Sequence, residues 1–293
     1  MYELIQVGEK TYYIHCPVRM GIYQINNKDV CLIDSGNDKE AGKKVQKIIN
    51  ENGWNLKMII NTHSHADHIG GNALLQQRLG CPAYSVGVDT AFIANPVLEP
   101  SFLYGGYPCK ELKNKFLMAP ASEIKELTEE HLPEGLEILR LDGHSLSMIA
   151  IKTSDNVWFL ADALTSEMII EKYHISFLYD VAGYLDSLSK VEKLDGELFI
   201  PSHAEPTKDI QPLIEVNRNK VYEIIGKLKN ICMTGIGFEE VLKQIFDQYQ
   251  LTMDFNQYVL VGSTIRSYMA YMHDNNMLDV YIEGNRLLWQ TIK

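Results

Sequence analysis

The sequence has few of the features that mark several protein classes. Its 293 residues include only five cysteines, with no Cys-x-x-Cys pair, which excludes a disulfide-rich small scaffold and favours reduced thiols in a cytoplasm. No run of about 18 apolar residues occurs, so a membrane-spanning helix is not expected. The first residues lack a basic start followed by an apolar stretch, so no secretory signal is expected. These absences predict a cytoplasmic protein without a membrane partner.

The sequence also has fewer basic than acidic residues. The chain has 27 Lys and Arg against 38 Asp and Glu, a net charge of −11. An acidic chain does not favour a protein that follows nucleic-acid phosphates. The rest of the composition, 46% hydrophobic and 22% charged, is typical of a globular protein with a large core. A nucleic-acid partner is therefore not expected. The length is enough for roughly two domains of about 150 residues.

Short strands and helices alternate over the first two thirds of the chain. Residues 2–34 are typical of short strands, and Asn37 or Asp38 can cap a helix that Gly53 ends. A strand over Lys57–Ile60 follows, so the order indicates a layered α/β fold. The segment 89–135 is irregular and rich in aromatic residues. It is interpreted either as an insertion with its own small core or as a cover over a site.

The pattern changes after Pro206. Three amphipathic helices over about 210–229, 238–249 and 258–272, followed by a hairpin, give a winged-helix-like order. The chain is therefore divided into a catalytic domain over 1–207 and a small helical, winged-helix-like domain over 208–293. The second part has nine Lys or Arg and ten Asp or Glu, so it lacks the basic face of a nucleic-acid-binding domain. It is expected to serve in packing, in pocket lining or in a homodimer.

The most specific motif is His63-Ser64-His65-Ala66-Asp67-His68, directly after a predicted strand. It holds three of the nine histidines, and imidazoles with a carboxylate suit Zn²⁺ or a similar metal. A strand-to-helix loop can point His63 and His65 one way, and Asp67 and His68 another, which favours two adjacent metals. The alternative is a surface histidine cluster or a pH-sensitive loop.

Two metals need more ligands than one loop provides. His144, Asp162 and His203 each lie at the end of a predicted strand or before a turn, where loops gather at a sheet edge. Any one of them alone would more often be structural. Together with the histidine motif, they supply the number of ligands that two sites need.

This combination resembles the metallo-β-lactamase-fold hydrolase superfamily. Five stretches carry the resemblance, in the family's order: Leu32–Gly36, His63–His68, Gly143–His144, Ala161–Asp162 and Ser202–His203. The resemblance covers about residues 1–207. It implies an αββα four-layer sandwich of class α/β, with the site at one edge of two packed sheets.

The resemblance also implies a ligand set. His63, His65 and His144 would bind the first metal, and Asp67, His68 and His203 the second. Asp162 would bridge both, and Asp34 would orient the metal-binding loop without ligating. The cofactors expected are two Zn²⁺, with iron or manganese as alternatives.

Two cations about 3.5–4 Å apart can hold a bridging water and lower its pKa. Asp162 would fix the pair, and Asp67 would accept a hydrogen bond from the water and help to move its proton, so both are predicted to be catalytic. The predicted reaction is hydrolysis of an ester, thioester, lactone or amide of a small molecule.

Other functions remain open from the sequence. They are a phosphodiesterase or nuclease of ribonuclease Z type, a mononuclear iron sulfur dioxygenase, and a metal-dependent regulator with a DNA-binding tail. Element order alone is a weak argument for the last. Two further histidines are candidates for contact with substrate: His15 in an early loop, where a packing role is favoured, and His174 soon after Asp162.

Overall fold

A computed structural model describes residues 2–292 of the chain. Two β-sheets pack face to face, and helices cover the outer face of each. Among the described residues, no helix is both long and apolar enough to cross a membrane. The αββα sandwich predicted from the sequence is confirmed.

The first sheet has seven strands in the order of the sequence. Strands β1 to β4 are antiparallel, and β4 to β7 run parallel to one another. The strands are β1 (Glu3–Gln6), β2 (Thr11–His15), β3 (Met20–Gln24), β4 (Asp29–Ile33), β5 (Asn55–Ile60), β6 (Ala83–Ser85) and β7 (Lys125–Glu126).

Helices α1 (Lys39–Glu51) and α3 (Asn72–Leu79) cover the outer face of this sheet. Asp38 caps α1 as expected, since its Oδ1 accepts hydrogen bonds from the backbone of Glu40 at 2.9 Å and of Ala41 at 3.2 Å. Between β5 and α3 lies a short helix, α2 (Ala66–Ile69), which carries half of the histidine motif.

The second sheet has four strands in the order β11-β10-β9-β8. Only β10 and β11 are parallel. The strands are β8 (Leu136–Arg140), β9 (Ile149–Thr153), β10 (Val157–Thr165) and β11 (Leu198–His203). Apolar side chains of both sheets, such as Ile33 and Ile60 from the first and Ile151 and Phe159 from the second, form the core between them.

Segment 89–135 and the stretch after β10 hold helices that the sequence did not predict. They are α4 (Asp89–Ala94), α5 (Leu98–Tyr104), α6 (Glu167–Tyr173) and α7 (Val181–Val191), with 3-10 turns at Lys110–Leu112 and Glu129–His131. Both interpretations of segment 89–135 hold in part. Leu103, Leu112 and Leu117 pack with Val259 in a small core, while Phe92 and Phe102 line a cavity beside His65.

The C-terminal part has the predicted order of three helices and a hairpin. These are α8 (Gln211–Ile231), α9 (Phe238–Gln248), α10 (Phe255–Asp274), β12 (Leu278–Glu283) and β13 (Arg286–Thr291). The winged-helix likeness rests on this order alone and stays a prediction. All three helices contribute to one core with α7 and with the outer face of the second sheet.

Candidate metal centre

Seven side chains from both sheets meet at one edge of the sandwich. His63 and His65 lie between β5 and α2, and α2 carries Asp67 and His68. The other three come from the second sheet: His144 from the β8–β9 loop, Asp162 from β10 and His203 from the end of β11. The structure thus brings together all seven residues that the sequence predicted as ligands. They form overlapping groups of three residues. Within each group, the candidate ligand atoms lie within 4.8 Å of one another.

Irregular backbone positions Asp162. The pairing of β10 with β11 shifts register on both sides of Ala161, and Ala161 has a φ of +51°. A left-handed conformation is unfavourable for alanine, and such strain concentrates at functional sites. The register shifts change the direction of the strand, and the Asp162 carboxylate lies among the histidines.

His63, His65 and His144 form the first group. His65 Nδ1 lies 3.1 Å from His63 Nε2 and 3.0 Å from His144 Nε2. The outer nitrogen of His144, Nδ1, donates to the carbonyl oxygen of Phe177 at 3.0 Å, which leaves the Nε2 lone pair facing inward. Convergent imidazole nitrogens are the donor set of a zinc site.

Burial keeps the imidazoles of this first group neutral. It holds the pKa of His63 well below its usual value and lowers the pKa of His65 to about 4 and that of His144 to about 3. A neutral imidazole offers a lone pair to a cation. These three side chains are therefore in the protonation state that metal binding requires.

The second group contains Asp67, His68 and His203, and Asp162 contacts both groups. His203 Nε2 lies 3.3 Å from Asp67 Oδ2 and 3.1 Å from Asp162 Oδ2. The same oxygen of Asp162 is 3.3 Å from His144 Nε2 in the first group. Burial opposes a charge on His203, but Asp162 and Asp67 outweigh it and raise its pKa to about 10.

Two buried atoms in this centre are in close ionic contact but make no hydrogen bond in the described part of the chain. They are His68 Nε2 and Asp162 Oδ1, which lie 3.1 Å apart. Buried polar atoms are nearly always paired, so such atoms call for an unseen water or ion. Histidine nitrogens with carboxylate oxygens are ligands that divalent first-row metals accept. The residues present therefore fit a metal ion.

Asp34 lies beneath the centre and contacts its loop. It accepts hydrogen bonds from the Thr62 backbone at 2.8 Å, from Thr62 Oγ1 at 2.7 Å and from His68 Nδ1 at 2.8 Å. Thr62 Oγ1 is also 3.0 Å from His63 Nδ1, so the hydroxyl accepts from that imidazole. These contacts turn the Nε2 atoms of His63 and His68 away from Asp34, as expected of an orienting residue.

Sequence reasoning missed two acids near the centre, the buried Asp89 and the partly buried Glu99. Asp89 accepts hydrogen bonds from Ser64 Oγ at 2.5 Å and Ser145 Oγ at 3.3 Å, and so ties two ligand loops together. Glu99 lies 3.8 Å from His65 Nε2, and burial raises its pKa to about 8. Neither acid belongs to a recognisable motif, because both come from the irregular segment 89–135.

A cavity of about 200 Å³ lies against the centre. Phe116, Leu117, Phe177 and Leu260 give it apolar walls, and Leu260 comes from α10. Of the histidines named as further candidates, His15 lines a groove beside His203. His174 instead stacks on Tyr249, with ring centroids 4.6 Å apart, and is not among the residues that line the cavity or the groove.

Comparison with known proteins agrees with this geometry. The family model described as the metallo-beta-lactamase superfamily matches residues 15–203, a range that contains all seven candidate ligands. The chain belongs to the metallo-beta-lactamase superfamily. Its membership makes it a protein of the metallo-hydrolase class.

The similarity of this metallo-beta-lactamase-fold chain to individual relatives covers different shares of its length. It is 23% identical to "Probable metallo-hydrolase YqjP" of Bacillus subtilis, over 93% of each chain. It is 29% identical to "Hydroxyacylglutathione hydrolase GloC" of Haemophilus influenzae, over 47% of this chain and 63% of that protein. A crystal structure of a beta-lactamase domain protein from Burkholderia ambifaria superposes with a TM-score of 0.76 at 14% identity. The match covers 99% of this chain and 94% of the other, so the fold likeness includes the C-terminal helices.

Proposed function

We propose that this chain is a metal-dependent hydrolase that holds two cations and cleaves an ester, thioester, lactone or amide bond of a small molecule. The observation that carries the proposal is the position of Asp162, whose carboxylate contacts His144 on one side and His68 and His203 on the other. A carboxylate between two sets of ligands is the arrangement that a two-metal site needs. Zinc is the cation proposed, with iron or manganese as alternatives.

The residues proposed to hold the cations follow the two groups. His63, His65 and His144 would hold one, and Asp67, His68 and His203 the other, with Asp162 between them. When bound, such a pair supplies Lewis acidity and a water of lowered pKa.

The chain's own residues would bind and orient the substrate. Phe116, Leu117 and Leu260 would hold an apolar part of it and exclude water from the cavity. Asp67, whose side chain is 39% exposed and which lines the same cavity, would accept a proton there. The hydroxyacylglutathione hydrolase relative supports acyl transfer to water as the reaction class. A small-molecule partner, rather than a nucleic acid, remains a prediction, as does a homodimer.

The first test is metal content, measured by mass spectrometry on protein purified without added metal or chelator. We expect about two zinc ions, or a mixed pair with iron or manganese, per chain. Asp162→Ala and His65→Ala should lose metal and hydrolysis of a thioester and lactone panel. His131→Ala is the matched control, because His131 is an exposed histidine that bonds Thr128 outside the centre.

Three outcomes would contradict the proposal. Full metal content and activity in Asp162→Ala would remove its basis. One iron per chain with oxygen consumption on a persulfide would indicate a dioxygenase. Turnover of phosphodiesters alone would indicate a nuclease or phosphodiesterase.

A further inference from the structure

A second space opens beside the metal centre. A groove of about 510 Å³ borders His203 and is larger than the apolar cavity of about 200 Å³ that borders Asp67 and Asp162. The loop between β2 and β3 forms one wall, and the region after β11 forms another. His203, which borders the groove, contacts Asp67 and Asp162, which border the cavity, so the metal centre lies between the two spaces. A substrate bound at the centre would have the cavity on one side and the groove on the other.

Arg19 lines this groove with a buried guanidinium. Its side chain is only 7% exposed, and its backbone N–H donates to the carbonyl oxygen of Ser202 at 3.1 Å, next to His203. Its Nη2 donates to the carboxylate of Glu205, but its Nε is buried and has no hydrogen-bond partner within the described residues. Buried donors are normally satisfied, so this guanidinium has hydrogen-bonding capacity that the described residues do not use.

Glu205 shows which chemistry Arg19 accepts. Its side chain is 77% exposed, whereas that of Arg19 is 7% exposed. Glu205 can therefore move into water, but the buried guanidinium then needs another carboxylate in its place. A ligand can supply that carboxylate. Arg19 is the single Lys or Arg among the residues that line the groove in the described part of the chain. One guanidinium matches one carboxylate in geometry and charge, whereas phosphate sites usually gather several donors.

We propose that the groove binds a carboxylate group of the substrate through Arg19, and that Glu205 occupies this position until the substrate displaces it. The inference rests on the proposed function and narrows its substrate class. The substrate is an acyl compound with an apolar part in the cavity and a carboxylate on the other side of the bond that is cleaved. Arg19 is then a residue that determines specificity, and it lies outside the metal ligands.

Two thioesters that differ in one group test this. S-butyryl-3-mercaptopropionate carries the carboxylate, and S-butyryl-3-mercaptopropionamide replaces it with a neutral amide. The wild type should prefer the carboxylate in kcat/KM, and Arg19→Gln should reduce that preference roughly tenfold or more, because a hydrogen bond to a charged group is lost. Arg218→Gln is the matched control. Arg218 lies on α8, outside the groove, and its Nη2 is 2.8 Å from Oε2 of Glu192, so the variant also removes one ion pair of an arginine.

Binding supplies a readout that does not need turnover. The thioether 3-(butylthio)propanoate cannot be hydrolysed, and calorimetry should find that it binds the metal-loaded wild type more tightly than its amide does. Glu205→Gln should strengthen that binding roughly twofold to fivefold, because the competing carboxylate is gone. Glu205 is exposed, so this variant remains informative even if Arg19→Gln fails to fold.

The outcomes separate the subsite from the hydrolase proposal. Hydrolysis of both thioesters without preference leaves the hydrolase intact and overturns the subsite. Binding of the carboxylate thioether that depends on Arg19, with neither thioester hydrolysed, supports the subsite and counts against the hydrolase. Equal losses on both substrates in Arg19→Gln, or an unchanged preference, would reduce Arg19 to a structural residue.

Discussion

At the scale of single residues, Asp34 links the metal loop to the sheet beneath it. Within the described residues its carboxylate accepts three hydrogen bonds, two from Thr62 and one from His68. Asparagine tolerates the positive φ of +62° at this position, so the backbone should survive the exchange. Its amide group, however, would face donors that need a carboxylate.

We therefore expect Asp34→Asn to weaken zinc binding about tenfold to a hundredfold, with the fold intact. Competition with a chromophoric chelator measures the affinity, and far-UV circular dichroism reports the fold. Asp142→Asn is the control. It removes the charge from an exposed ion pair in which Asp142 Oδ1 lies 2.7 Å from Nη2 of Arg140. Unchanged affinity in Asp34→Asn would show that the hydrogen bonds do not orient the ligands.

The reactivity of each cysteine thiol is a second property that depends on the surroundings of a single residue. Cys109 is exposed, and the other four cysteines are buried. Burial raises the pKa of Cys16, Cys81 and Cys232 to about 11, and the thiolate is the reactive form. At pH 8 these thiols are therefore protonated as well as inaccessible.

A disulfide reagent at pH 8 should modify one thiol of the native protein rapidly and all five after denaturation. Because the raised pKa values lie above this pH, any slow reaction of Cys16 should accelerate as the pH rises toward 11. Cys109→Ser should abolish the rapid phase. Two or more rapid thiols in the native protein would contradict the assigned burial.

A residue could be predicted from the sequence when its motif or its partners lie close to it along the chain. The candidate ligands could be chosen because the His63–His68 motif is contiguous and the remaining candidates lie at the ends of predicted strands. Asp89 and Arg19 could not, since their partners are distant in sequence: Asp89 bonds Ser145, 56 positions away, and Arg19 bonds Glu205, 186 positions away. Only the folded chain brings such pairs together.

At the scale of elements, helix α1 and helix α7 show why one was predicted and the other missed. The capping Asp38 and the regularly spaced Ala41, Val45 and Ile49 mark α1. Helix α7 holds Gly183 and several polar residues within its eleven positions, and glycine is a weak helix former. Its helical conformation is stabilised by tertiary packing of Tyr184 and Leu188 in the core.

The junction of α7 with the His144 loop depends on Gly143. This glycine has a φ of +118°, and a Cβ there would lie 2.2 Å from the backbone nitrogen of Tyr184. Its carbonyl oxygen also accepts hydrogen bonds from the backbone of Tyr179 and Asp180, at 2.8 and 2.9 Å. A side chain at this position must move the loop and with it His144.

Gly143→Ala should therefore lower the free energy of unfolding by more than about 2 kcal/mol and reduce the metal content. The control is Gly53→Ala, because Gly53 also has a positive φ, +64°, but a Cβ there meets nothing within 4 Å. Gly53→Ala should lower the free energy of unfolding by about 1–2 kcal/mol, because alanine is strained at a positive φ, and should leave the metal content unchanged. Urea denaturation and mass spectrometry measure the two quantities, and equal effects in both variants would contradict the close approach.

At the scale of the whole molecule, the layers followed from the sequence, but the contacts between the two parts of the chain did not. The alternation of strands and helices predicted a layered α/β fold, and the resemblance of the ligand motifs to a known superfamily implied the sandwich. The boundary at residue 207 came from a change in local pattern, which contains no information on what the later helices cover. In the structure, Ile214, Val241 and Ile265 share one core with Leu160 and Leu188.

Because this core includes residues on both sides of position 207, a chain that ends there should lose its tertiary packing. We expect the 1–207 fragment to keep strand and helix signals in far-UV circular dichroism, to bind a hydrophobic dye and to aggregate. The control is the full chain with a protease site inserted after Lys208, because its two fragments should stay associated after cleavage and separate only in denaturant. A monomeric 1–207 fragment that unfolds cooperatively would instead establish an independent catalytic domain, and the helices of 208–293 would then be an accessory layer on it.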